Sequence, residues 1–315
     1  TGNSIASFLL GTPTSGFIDS YTQPARQQHM FSYFVHDDIR VTDKLKLNLG
    51  LRWDLRGPVT ERFNSILHGF DRTSPSPLQV PGLELKGGPV YAGVKGISRG
   101  GYKTDANNFA PRIGAAYRLN DKTVLRGGYA LIYAQTFDEP PIAFGFNQRT
   151  GMIASIQTGI PENLISNPFP NGLLQPSGSS LGLASGMGLP FSFASTDRAL
   201  PYTHQFSFEV QRELPGRFLL TAGYVGNRVN GLGVSKPINE ISLESMALGA
   251  EYLGQSVPNP MAGQVPGTFL NASTVVRSQL LRPFPQFAGI TELFRNEGRS
   301  RYDGFQFMLA RLPSE

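Results

Sequence analysis

The chain has 315 residues, with 28 Lys and Arg against 23 Asp and Glu, for a formal net charge of +5. Charged residues make up only 16% and hydrophobic residues 40%, while 36 Gly and 24 Pro punctuate the chain, so extensive disorder is excluded and many short segments joined by turns are expected. With no cysteine, a disulfide-stapled domain, a thiolate metal site and a cysteine nucleophile are excluded too.

The basic excess is spread out, with no run of five or six Lys or Arg, so nucleic acid is not an expected partner. No apolar run approaches the roughly eighteen residues of a membrane-spanning helix. A spanning β-strand needs only about 9–11 residues and alternates apolar with polar, which hides it from averaged hydropathy.

Four segments share one grammar. From Ser32 to Arg56, Val35, Ile39 and Val41 alternate with His36, Asp38 and Arg40. After a turn at Thr42-Asp43-Lys44, Leu45, Leu47, Leu49, Leu51, Trp53 and Leu55 alternate with Lys46, Asn48, Gly50, Arg52, Asp54 and Arg56. Period-two alternation puts one set on each face of a strand. A strand of about twelve residues is twice the usual length in soluble proteins. Asp37 falls in phase with Val35 and Ile39, and a β-bulge at Asp37-Asp38 would be needed to turn it to the polar side.

The second segment runs from Pro111 to Tyr133. Ile113, Ala115, Tyr117 and Leu119 alternate with Arg112, Gly114, Ala116 and Arg118; Asn120-Asp121-Lys122 turns the chain, and Leu125, Tyr129, Leu131 and Tyr133 share a face on the return. In the third, from His204 to Gly226, Phe206, Phe208 and Val210 precede a turn at Leu214-Pro215-Gly216, and Phe218, Leu220, Ala222 and Tyr224 follow it. The fourth begins at Tyr302, with Phe305, Phe307 and Leu309 on one face.

Asn, Asp, Pro and Gly sit where each pattern breaks, as hairpin turns require. Between the hairpins lie Gly57–Ala110, Ala134–Thr203 and Asn227–Arg301, each longer than fifty residues and rich in Pro, Gly, Ser and Asn. Short turns at one end and long loops at the other are the plan of an outer-membrane barrel. Trp53, Tyr129, Tyr133 and Tyr224, toward the long-loop ends, fit an interfacial girdle. A soluble antiparallel sheet with one face on a core also alternates, and is the rival reading.

Chemical motifs are sparse. His29, His36, His68 and His204 are not spaced as metal pairs. Gly178-Ser179-Ser180-Leu181-Gly182 has the pattern of a nucleophile elbow but lies in a loop rather than between a strand and a helix. Neither an enzyme nor a cofactor site is expected. Lys46, Asn48, Arg52, Asp54 and Arg56 form one polar ladder, and Arg112, Arg118 and Arg126 another. In a barrel these would face the lumen. Loop aromatics such as Phe137, Phe144, Phe146, Phe191 and Phe193 are candidate ligand contacts.

The segment Tyr33-Phe34-Val35-His36-Asp37-Asp38-Ile39-Arg40-Val41-Thr42 with Leu45–Trp53 resembles a stretch of TonB-dependent receptors of the Oar-like, acidobacterial type. Asn108-Phe109-Ala110-Pro111-Arg112-Ile113-Gly114 with Arg126-Gly127-Gly128-Tyr129 is similar to the next hairpin of that group. Gln211–Gly216 with Gly223–Gly226, then Arg282-Pro283-Phe284-Pro285-Gln286-Phe287 and the strand from Tyr302, complete the order.

The resemblance implies an all-β, antiparallel transmembrane barrel of about 22 strands in the bacterial outer membrane, filled by a plug domain. On that reading residues 1–315 are part of the barrel, with seven or eight strands. The plug, a carboxypeptidase-regulatory-like domain and the segment that engages the TonB-type energy transducer lie outside it. The implied function is energy-coupled uptake of an unidentified bulky solute, with membrane lipid and the plug as further partners. A non-transporting surface barrel, such as an adhesin, is the alternative.

Overall fold

The computed structural model describes residues 3–134, 140–157 and 160–311. Seven long strands form one antiparallel meander: β1 (Met30–Arg40), β2 (Leu45–Arg56), β3 (Asp105–Asn120), β4 (Thr123–Tyr133), β5 (Tyr202–Leu214), β6 (Phe218–Pro237) and β7 (Gly289–Arg311). Each pairs with the strand before and after it in sequence. A short strand, Pro190–Ala194, adds in parallel to the start of β7, opposite Gly289–Leu293.

The turns at one end are tight and built by local chemistry. The Thr42 hydroxyl accepts from the amides of Lys44 and Leu45 at 3.2 and 3.0 Å. Asn120 Oδ1 accepts from the Lys122 amide at 3.1 Å. Gly216 and Arg217 take φ of +80° and +63° to close the turn between β5 and β6. The other ends are joined by residues 57–104, 134–201 and 238–288.

The register confirms the alternation. Leu49 lies opposite Ile113, Ile113 opposite Tyr129, Tyr129 opposite Phe206 and Phe208 opposite Tyr224, so the apolar sets of successive strands share a face. The β1–β2 register runs from Met30–Arg56 to Arg40–Lys46 without a shift. No bulge turns Asp37; it stays on the apolar face opposite Leu49. It stands three positions from Arg40, about 10 Å of strand, so it lies near the short-turn rim, where a carboxylate can reach polar surroundings.

Three strands extend farther than the alternation indicated. β3 starts at Asp105 rather than Pro111, β6 runs to Pro237 rather than Gly226, and β7 starts at Gly289 rather than Tyr302. In the β6–β7 extension the register shifts three times, between Asn230 and Leu232, Leu232 and Gly233, and Val234 and Lys236. Gly231 at φ +72° and Phe294 at φ +60° absorb the irregularity. Each bulge breaks the two-residue period, so the ribbon is invisible to a period-two reading.

The burial pattern is inverted with respect to a soluble sheet. Phe305 and Phe307 are 75% and 77% exposed, and Val35, Ile113, Phe208 and Leu309 are also exposed. The buried apolar side chains belong mainly to the long connections. One cluster gathers Leu67, Tyr91, Phe191, Phe193, Phe284, Phe287 and Ile290; a second gathers Val80, Leu85, Met261, Val265, Leu270 and Val275. No core covers either face of the meander among the described residues. The rival expectation of a sheet with one face on a core is therefore not met.

Set in a bilayer, Leu49→Arg in the intact protein should destabilise the sheet by about 2–4 kcal/mol, as a cation on the lipid face near the midplane does. Ser207→Arg, on the opposite face, should cost much less. Refolding titrations of both variants check this, and equal losses would contradict the assignment of faces.

Candidate functional site: the polar face and its loop lobe

On the polar face the sequence-predicted residues stand side by side. Lys46 and Arg126 both lie opposite Ala116, and Arg126 is opposite Glu209. Asn48 lies opposite Gly114, which lies opposite Gly128, which lies opposite Ser207. Gly50 is flanked by His36 and Arg112.

This row of small residues floors a groove of about 510 Å³, walled by Phe34, His36, Arg52, Arg112 and Gln205. A Cβ placed on Gly128 would meet nothing closer than 3.7 Å, so the glycine there is not demanded by a clash; its absent side chain is what keeps the groove open. Arg52 is tied down: its Nε donates to Asp54 Oδ1 at 2.9 Å and its Nη2 to the Ser32 hydroxyl at 2.9 Å. Ser32 in turn donates to Asp54 at 2.5 Å. Asn48 is hydrogen-bonded to Asp38 across the β1–β2 pair. Arg118 donates to the Asp43 carbonyl at 3.3 Å, at the short-turn end. The groove thus joins Asn48, Arg52 and Arg112, whereas Arg118 stands apart and Asp54 acts through Arg52.

The loop candidates separate in the same way. Phe144 packs edge-on against Phe191 at 5.3 Å, and the Tyr91 hydroxyl donates to its carbonyl at 3.0 Å. Phe146 leans on Tyr91 at 6.3 Å. Both belong to the first aromatic cluster of the lobe, with Phe191 and Phe193. Phe137 lies outside the described residues.

The motif Arg282–Phe287 proves to be lobe architecture. Its keystone is Asn239, a residue that carries no sequence signal because a single Asn in a loop looks like any turn residue. Fully buried, it donates to the carbonyls of Phe284 and Phe287, both at 3.0 Å, and accepts from the Phe284 amide at 2.9 Å. Gln286 crosses to the first long connection, donating to the Lys86 carbonyl at 2.7 Å.

The histidines are dispersed. His36 is 3.2 Å from Asp38, His68 Nδ1 is 2.9 Å from the Gly100 carbonyl, and His204 is 2.8 Å from the Tyr129 hydroxyl. His29 is 3.2 Å from Gln27. Ser180 donates to the Ser177 carbonyl at 2.7 Å within a run of turns, so the G-x-S-x-G sequence is not a strand-to-helix elbow.

Two lobe carboxylates are held ionised. Desolvation raises the Asp71 pKa, but hydrogen bonds from the Ser74 and Thr73 hydroxyls and amides outweigh it and bring it down to about 2. Glu61, fully buried, is likewise desolvated yet lowered by the amides of Ser65, Ala25 and Phe63. A carboxylate depressed in the folded state stabilises it above its unfolded pKa, near 4, and loses that contribution as pH falls toward the folded value. Acidification from about pH 4 to 2 should therefore loosen the lobe by on the order of 1–2 kcal/mol through Asp71, and Asp71→Asn should abolish that part of the transition. Asn239→Ala should cost the lobe about 1–3 kcal/mol, because the buried Phe284 amide loses its acceptor while the Phe284 and Phe287 carbonyls keep the Phe287 amide and Gln279 as donors. Limited proteolysis of the loops reads both effects, while the heat-modifiable gel mobility of the sheet should stay unchanged.

Solved structures with related geometry are distant. The alcaligin outer membrane receptor FauA of Bordetella pertussis is 11% identical, over 69% of this chain and 23% of that one, with a TM-score of 0.28. The ferric-catecholate import receptor Fiu of E. coli K12 is 14% identical over 91% and 26%, with a TM-score of 0.33. The FrpB iron transporter of Neisseria meningitidis is 8% identical over 92% and 35%, with a TM-score of 0.31. This chain spans a quarter to a third of those proteins. No curated protein matches the sequence. The family model described as an outer membrane beta barrel domain matches residues 1–314. The chain belongs to the outer membrane beta barrel domain family, and its place is the bacterial outer membrane.

Proposed function

We propose that this chain is a wall segment of an Oar-like TonB-dependent receptor, which takes up a bulky solute across the outer membrane. The observation that carries the reading is the polar face. Lys46, Arg112, Arg118 and Arg126 line it, and the glycine-floored groove lies among them. A small closed barrel fills its interior with its own side chains; a face this polar and this open suits a wide lumen that another domain occupies. The order of sequence landmarks supports the Oar-like assignment.

In this reading Asn48, Arg52 and Arg112 face the plug domain of the same full-length protein. The long-loop lobe lies outside the cell, where solute first meets it, and Phe144 and Phe146 fix its shape. The TonB-type transducer works from the periplasmic side through the plug, and no bond of the solute need be broken.

Removing the lumen-filling domain from the intact protein should turn a silent barrel into a pore. In planar bilayers it should then pass current and uncharged oligosaccharides of about a kilodalton. A barrel that stays closed after the deletion would overturn the transport reading and leave a surface barrel of the adhesin kind.

A further inference from the structure

We propose that the outward face of β6 and β7, at its long-loop end, is a docking site for the phosphate-bearing headgroups of lipids in the outer leaflet. This rests on the barrel family and on the orientation set by the loops, and is independent of the transport reading.

The apolar face ends there in an aromatic row. Phe206 and Tyr224 lie 6.0 Å apart and Tyr224 and Phe305 5.1 Å apart. Directly beyond, on the same face by alternation, Arg228 stands opposite Arg301 and Asn230 opposite Arg299. Arg228 is ten residues past Phe218 at the short turn, about 33 Å of strand. With strands tilted about 40°, that is a height of about 25 Å, the thickness of the apolar band. The arginines therefore stand where acyl chains give way to headgroups.

The cluster is organised and keeps excess charge. Asp303 accepts from Arg228 and from Arg301, each at 2.7 Å, and from the Tyr224 hydroxyl. Arg228 is fixed further by the carbonyls of Asn227 and Tyr302, both at 2.9 Å, and lies 5.4 Å from the Phe206 ring centre. Arg301 uses only Nε on Asp303, and its side chain is 73% exposed. Arg228 and Arg301 thus share one carboxylate, and Arg299, opposite Asn230, adds a third positive charge beside them. Glu297, the next acid along β7, is engaged by Arg295 and lies 3.7 Å from Lys236, so it does not offset them.

Two like charges directly opposite one another on a sheet repel unless an anion lies between them. Asp303 supplies one negative charge, and a phosphate supplies the rest through paired N–H donors. A lipid fits better than an acidic protein. The basic patch runs without a break into the apolar face that acyl chains cover, so one amphiphile contacts both.

The intact protein, purified in neutral detergent, should retain bisphosphorylated lipid A in native mass spectrometry. R299Q/R301Q should reduce that retention about five- to tenfold, with phosphatidylethanolamine retention unaltered. Arg62→Gln with Lys95→Gln, an equal charge change in the loops, should leave lipid A retention as it was. Heat-modifiable mobility reports folding; should the double variant misassemble, Arg301→Gln alone carries the test, and Arg301→Lys should recover part of the loss. Unchanged retention in R299Q/R301Q, an equal loss in the loop control, or complete competition by inorganic phosphate would overturn the proposal. So would loss of an acidic protein partner in place of lipid.

Discussion

Every backbone amide and carbonyl that enters hydrocarbon must be paired within the protein, and this constraint organises the whole chain. A meander of seven strands meets it with neighbours in sequence, so most pairing is between β1 and β2, β2 and β3, and onward to β7. Once pairing is fixed, the two-residue period leaves no freedom of face: a residue is either toward lipid or away from it. The placement of Leu47, Leu49 and Leu51 on one side, and of Asn48, Gly50 and Arg52 on the other, follows from that alone.

The same constraint divides the chain into two solvent regimes. In the meander, apolar side chains are exposed because lipid replaces a core; in the connections, they are buried because water surrounds them. Phe307 and Phe287 have the same side chain and opposite environments, one 77% exposed on the sheet and the other fully buried in the lobe. The long connections are thus not slack between strands. Their two cores, held by Asn239, Gln279 and Gln286 to backbone carbonyls, give the outer end of the sheet a defined shape.

The boundary between the regimes is where the chemistry concentrates. Tyr33, Trp53 and Phe109 stack across β1, β2 and β3, and Tyr133, Tyr202 and His204 continue the row on β4 and β5. On β6 and β7, in register with Tyr202 and His204, come Arg228, Arg299, Arg301 and Asp303 on the outward side. On the opposite, polar side the groove carries Arg52 and Arg112. One strand therefore serves lipid, interface and polar groove by position along its length and by parity.

By itself the sequence determined the strands inside the bilayer, their faces and their turns, because lipid enforces a strict alternation over ten residues or more and Asn120, Gly216 and Thr42 break it locally. It also pointed to a polar ladder, since Lys46 to Arg56 is legible as every second residue. Only the tertiary structure decided that Asn48, Gly114, Gly128 and Ser207 form one row, because register depends on pairing across loops of very different length. The bulged ribbon of β6 and β7 above the membrane lay beyond a period-two reading, as each register shift erases the period. The lobe was hidden for another reason. Its cores join Leu67, Phe191 and Phe287, residues far apart in sequence with no common period, so their meeting is a property of the folded chain alone.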